Sequence, residues 1–117
     1  MEGWPCRLVR GGVELGIVTH DMREEAGAWD VGYLQPSPAF ESVRPLFERE
    51  QQVFDQLLAA ELAPGGAAPS ESACLRLEAE MVQGEVLTPG VQMVRLDDGN
   101  VYRVDELHLE GAKVYWR

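Results

Sequence analysis

The sequence predicts an α+β fold: an antiparallel sheet of five or six strands with two helices packed on one face, in the order βββ-αα-βββ. Three observations carry this. Both ends of the chain hold short apolar stretches of period two, separated by glycine-containing turns, whereas the middle follows the 3.6 period of a helix. The connections between strand-like stretches are short, which favours antiparallel neighbours. The 117 residues, 45% hydrophobic, can bury one core and not two. A single domain over 1–117 is expected, with a flexible internal loop at about 63–71.

Arg7–Arg10 and Val13–Val18 read as two strands joined by Gly11-Gly12, because glycine supplies the positive φ of a tight hairpin turn. In the second, Val13, Leu15 and Ile17 alternate with Glu14, Gly16 and Val18, so the odd positions are expected to face the core. Residues 19–27 lack either period and read as a loop. Trp29, Val31 and Tyr33 alternate in a third strand, closed by Pro36. Ser37 is expected to cap a short helix with Pro38 in its first turn, and Pro45 to kink or restart it. From Pro45, Phe47, Phe54, Leu58 and Leu62, with Leu46, Val53 and Leu57 beside them, mark an amphipathic helix. Ser72–Leu87 fits both periods; its Leu, Glu, Ala, Met and Gln composition selects helix. Three strands follow, 91–96, 101–109 and 113–117, joined by turns at Asp97–Asn100 and Glu110–Ala112.

Ten Lys plus Arg stand against twenty Asp plus Glu, a net charge of -10. Such a surface repels phosphate backbones and anionic lipid, and no basic patch relieves it, so neither nucleic acid nor a membrane is expected as partner. Arg44 and Arg49 are interleaved with Glu41, Glu48 and Glu50, which reads as a solvated helix face. The opening residues show neither a basic nor an apolar leader segment, and no run reaches membrane-spanning length; a cytoplasmic protein is expected. Cys6 and Cys74 lack any metal-binding spacing and read as two half-buried, reduced thiols acting as small hydrophobes.

Chemistry-bearing residues are few. His20 and Asp21, with Asp30 farther along, form the richest polar cluster, since a carboxylate can orient an imidazole as a general base. Glu106 and His108 fall on one face of the expected strand 101–109, opposite Asp105, Leu107 and Leu109. Two ligands make no metal site, and none is expected. Gly11-Gly12 and Gly65-Gly66 lack the frame of a phosphate loop, so no cofactor is expected either. Trp29, Tyr33 and Phe40 could line a groove beside Pro36 and Pro38, next to Glu41 and Glu48, as a partner-binding surface.

The stretch Trp29-Asp30-Val31-Gly32-Tyr33-Leu34-Gln35-Pro36-Ser37-Pro38-Ala39-Phe40, continuing to Arg44-Pro45-Leu46-Phe47, resembles the W-x-x-G-x-L-x-P-x-P-x-F…RPLF pattern of small uncharacterised bacterial proteins. Glu106–Gly111 and Trp116-Arg117 resemble their C-terminal end. The resemblance implies a bacterial, stand-alone domain and carries over no activity and no catalytic residue. Val94–Gly99 with Val101-Tyr102 resembles an SH3-like strand set. Three readings of function follow: an acidic protein-binding module of immunity-like, antitoxin-like or adaptor type that meets a basic partner; a small hydrolase or metal-dependent enzyme using His20, Asp21, Asp30, Glu106 or His108; and a domain that forms a homodimer through the C-terminal edge strand ending at Trp116. The leaning is away from an enzyme.

Overall fold

The computed structural model describes residues 4–21, 29–63, 65 and 69–117. Its elements are strands β1 (Pro5–Arg10), β2 (Val13–His20) and β3 (Asp30–Pro36), a 3₁₀ turn over Pro38–Ser42, helices α1 (Arg44–Leu62) and α2 (Pro69–Leu87), then strands β4 (Val91–Arg95), β5 (Val101–Arg103), β6 (Leu107–Glu110) and β7 (Lys113–Trp116). The α+β class and the placing of both helices between two sets of strands are as expected. The sheet has seven strands rather than five or six, all antiparallel, in the order β5-β4-β1-β2-β3-β7-β6.

The extra strand arises because the expected strand 101–109 breaks. Arg103 pairs with Gln92 of β4, whereas Leu107 pairs with Trp116 of β7. Between them the backbone changes partners: Val104 N–H donates to Val91 O, and Asp105 and Glu106 N–H both donate to Arg117 O. Strands β5 and β6 are three residues apart in sequence yet form opposite edges of the sheet. The sheet therefore curls until its edges approach, and its concave side holds most of the core, including Leu8, Leu15, Val18, Met93, Leu107, Val114 and Trp116. The phase of burial slips at the break, from Val104 to Leu107 and Leu109.

Two further expectations are corrected. The strand ending at Trp116 is not an edge: β7 lies between β3 and β6, and Trp116 is buried. A homodimer through that strand has no free edge to use. In β2 the buried positions are Leu15, then Val18 and His20, not Val13 and Ile17. Leu8 faces Gly16 and Val9 faces Glu14, so Leu15 is an extra, bulged residue. One inserted residue moves every later side chain to the opposite face, which turns His20 inward.

Prolines act where the sequence places them: Pro38 opens the 3₁₀ turn and Pro45 sits in the first turn of α1. Ser37 stands at the N-cap of the 3₁₀ turn, but its hydroxyl makes no capping bond and donates instead to Glu14 O at 2.8 Å. Helix α2 begins at Pro69, so the expected loop 63–71 is shorter, and of it residues 64 and 66–68 lie outside the described residues. Of the expected loop 19–27, Thr19 and His20 belong to β2, and residues 22–27 lie outside the described residues. Helix α1 lies against β6. Helix α2 is anchored from two sides: the Arg10 guanidinium donates to Val86 O and Glu85 O near its C-terminus, and the Gln83 amide accepts from Leu107 N–H at 2.9 Å and donates to Leu107 O at 3.0 Å. Gln83 thus serves the free edge of β6 as a neighbouring strand would. Gln83→Leu should leave both Leu107 groups unpaired and lower stability by about 2 kcal/mol, read as a lower urea midpoint together with faster hydrogen exchange at Leu107. Unchanged exchange there would contradict this anchoring.

Candidate functional site

The junction of α1 with β6 carries the densest chemistry. Leu107 and Leu109 point into the core, so His108 points the other way. It meets Glu50, which projects from α1 one turn after Phe47 and one turn before Phe54. The two oxygens of Glu50 lie 2.8 and 3.0 Å from His108 Nδ1, and Glu106 Oε2 lies 3.0 Å from Nε2. Glu106 Oε1 in turn accepts from Arg117 Nε at 3.1 Å and from its terminal nitrogen at 3.0 Å. The result is an array Glu50–His108–Glu106–Arg117 that links α1 to the end of β7. Aromatic rings enclose it: Phe54 stacks on the imidazole at 4.3 Å, Trp29 meets it edge-on at 5.3 Å, and the Arg117 guanidinium lies 4.2 Å over Trp29.

Ionised carboxylates only accept, so the imidazolium form of His108, with a donor on each ring nitrogen, is the form that satisfies both neighbours. Burial pushes its pKa down, but the hydrogen bonds and negative charges of Glu50 and Glu106 outweigh burial, and the net shift is upward. For Glu106 burial pushes upward, and the hydrogen bonds from His108 and Arg117 outweigh it, so its pKa is lowered. The Glu50 side chain is only 4% exposed and that of His108 11%. Such a pair stores a proton and ties helix to sheet. A cavity of about 280 Å³ opens beside it, lined by Trp29, Glu50, Gln51, Phe54, Asp55, Leu58, His108, Leu109, Glu110 and Tyr115. Among the described residues no Ser or Thr hydroxyl and no thiol lines it.

The sequence analysis pairs Glu106 with His108, and the structure brings them together. Glu50 was missed: its charge placed it on the solvated face with Glu41 and Glu48, yet it is 3% exposed. Its spacing of three from Phe47 and four from Phe54 was the available signal. Glu41 is exposed and paired with Arg44 at 2.6 Å, and Glu48 is exposed.

The other cluster is separate. His20 Nε2 lies 3.2 Å from Asp30 Oδ1, with the imidazole edge-on to Trp4 at 4.6 Å and tilted against Trp116 at 5.3 Å. Nδ1 of His20 is buried and has no hydrogen-bond partner among the described residues. Asp21 donates its backbone N–H to Val31 O. Trp29, Tyr33 and Phe40 do not share a groove: Trp29 lines the cavity beside His108, Tyr33 is exposed on β3, and Phe40 is a core residue stacked on Phe47 at 5.6 Å.

Both cysteines are free. Burial pushes the Cys6 thiol up to about 11, against the lowering charge of Arg95, which makes it a poor nucleophile. Among the described residues no group of three or more His, Cys, Asp or Glu is arranged to hold a metal ion, and no helix is long and apolar enough to cross a membrane. Compared with protein-family models, with curated proteins and with solved structures, the chain matches none.

Proposed function

We propose that this protein is a binding module for a basic, amphipathic segment of a partner protein, docked on the outer face of α2. The observation that carries this is the composition of that face. Helix α2 turns Val82 and Val86 inward, yet Leu77 is 59% and Met81 60% exposed, and Cys74 continues the same stripe at helical spacing. A helix apolar on both sides has one side that a further surface would cover. Glu71, Glu78 and Glu85 run beside the stripe at seven-residue intervals, all exposed, with Glu85 already holding Arg49 at 3.0 Å, as acidic flanks run beside a helix–helix seam. A second copy would set one acidic row near another on chains of net charge -10, so a cationic partner is the better complement. Immunity-like, antitoxin-like and adaptor proteins are modules of this kind, and a reducing, cytoplasmic setting fits the two free thiols.

The reading is tested with a synthetic peptide carrying leucines at helical spacing and flanking lysines, its binding followed by fluorescence anisotropy at low and high salt. Leu77→Asp combined with Met81→Asp, both at exposed positions, should weaken binding at least about tenfold. Glu71→Gln, Glu78→Gln and Glu85→Gln together should flatten the salt dependence. Binding that neither set of changes alters would overturn the proposal.

A further inference from the structure

We infer that the cavity between α1 and the β6–β7 hairpin is a second, independent binding site, for a primary ammonium group carried on an apolar chain or ring. The cavity lies on the face of α1 that meets the sheet, whereas the α2 stripe faces solvent, so the two sites have different walls. Its volume of about 280 Å³ exceeds the roughly 150 Å³ that accommodates benzene in an apolar cavity, which leaves room for a ring and a short chain. Trp29, Phe54, Leu58 and Tyr115 form apolar walls. The first two are fixed by contact with His108, and Tyr115 is held opposite His108 in the sheet register.

The polar groups of the cavity divide into two sets. Glu50 and His108 satisfy each other, and Glu106 occupies the remaining ring nitrogen. Asp55 and Glu110 line the same cavity, are exposed, and form no ion pair among the described residues. An anionic ligand would meet the carboxylates of Asp55 and Glu110, of which Glu110 faces Lys113 across the hairpin. A neutral one would gain at most a hydrogen bond from an uncharged donor. An ammonium gains a charge-assisted hydrogen bond at the mouth while its apolar body fills the walls; the rings of Trp29 and Tyr115 already face Arg117 and Lys113, so the carboxylates and not the aromatic faces supply the selectivity. Free amines and a lysine side chain of a protein share this chemistry.

The test uses calorimetric titration of the full chain with 2-phenylethylamine, 2-phenylethanol and 3-phenylpropanoate, and with N-acetyl-lysine methylamide as the protein-like arm. An ammonium ligand should bind about tenfold or more tighter than the alcohol, with the carboxylate weakest. Asp55→Asn with Glu110→Gln should bring amine and alcohol level. Leu58→Trp, at a partly exposed lining position, should fill the cavity and abolish binding of both. Tighter binding of phenylethylamine supports the site with a free amine as its source; tighter binding of the lysine derivative supports it with a protein side chain. Equal affinity for amine and alcohol, or no binding by any probe, overturns the inference.

Discussion

Replacing Glu50 with alanine should remove about 3–5 kcal/mol of folding stability. The change leaves the His108 imidazole buried against Phe54 with Nδ1 unpaired, so the loss exceeds the worth of one ordinary hydrogen bond. Chemical denaturation reads it as a fall in midpoint. Glu50→Leu combined with His108→Phe removes both charges and keeps the volume apolar, and should recover most of the stability. If the double variant is as unstable as Glu50→Ala, packing rather than the unpaired group is responsible.

The same pair sets a pH window. His108 holds its proton more tightly in the folded chain, so its contribution is complete below about pH 6.5, the ordinary histidine value, and is lost as pH rises through the raised folded value. Glu106 runs the opposite way: its contribution is complete above the ordinary carboxyl range near pH 4.5 and is lost as pH falls through the lowered folded value. Stability from these groups should be flat between about pH 4.5 and 6.5 and decline on either side. The alkaline decline should disappear in the Glu50→Leu, His108→Phe double variant. A decline that persists there would assign it to other groups.

Gly16→Ala should destabilise by about 3 kcal/mol. A Cβ at Gly16 would stand 2.4 Å from Gln35 O and 2.9 Å from Pro36 Cα. Both belong to the backbone of β3, so no rotamer change relieves the clash and the strands must part at the bulge. Gly84→Ala is the matched control, because nothing lies within 4 Å of a Cβ there; in the body of α2 it should stabilise by roughly 0.5–1 kcal/mol. Equal effects of the two changes would refute the close approach of β2 to β3.

Local pattern reached as far as local physics does. Gly11-Gly12, Pro38, Pro45 and the Phe47–Phe54 spacing located turns and helix starts correctly, because each constrains its own backbone or its own helix face. The helix over 72–87 followed from composition alone. Alternation failed in β2 and again after Val104, since a bulge and a change of strand partner depend on what lies across the sheet. The same limit governs the site. Glu106 and His108 were paired correctly because a two-residue spacing places them side by side, while Glu50, 58 residues away from His108, looked like any exposed helix carboxylate.

The sequence by itself determined the α+β class, the order of helices and strands and the acidic balance, since these depend on short-range period, turn chemistry and a sum of charges. Only the tertiary structure decided the seventh strand, the burial of β7, the inward turn of His20 and the union of Glu50 with His108. Those outcomes rest on contacts distant in sequence, where the curl of the sheet, and not any nearby residue, chooses the neighbour.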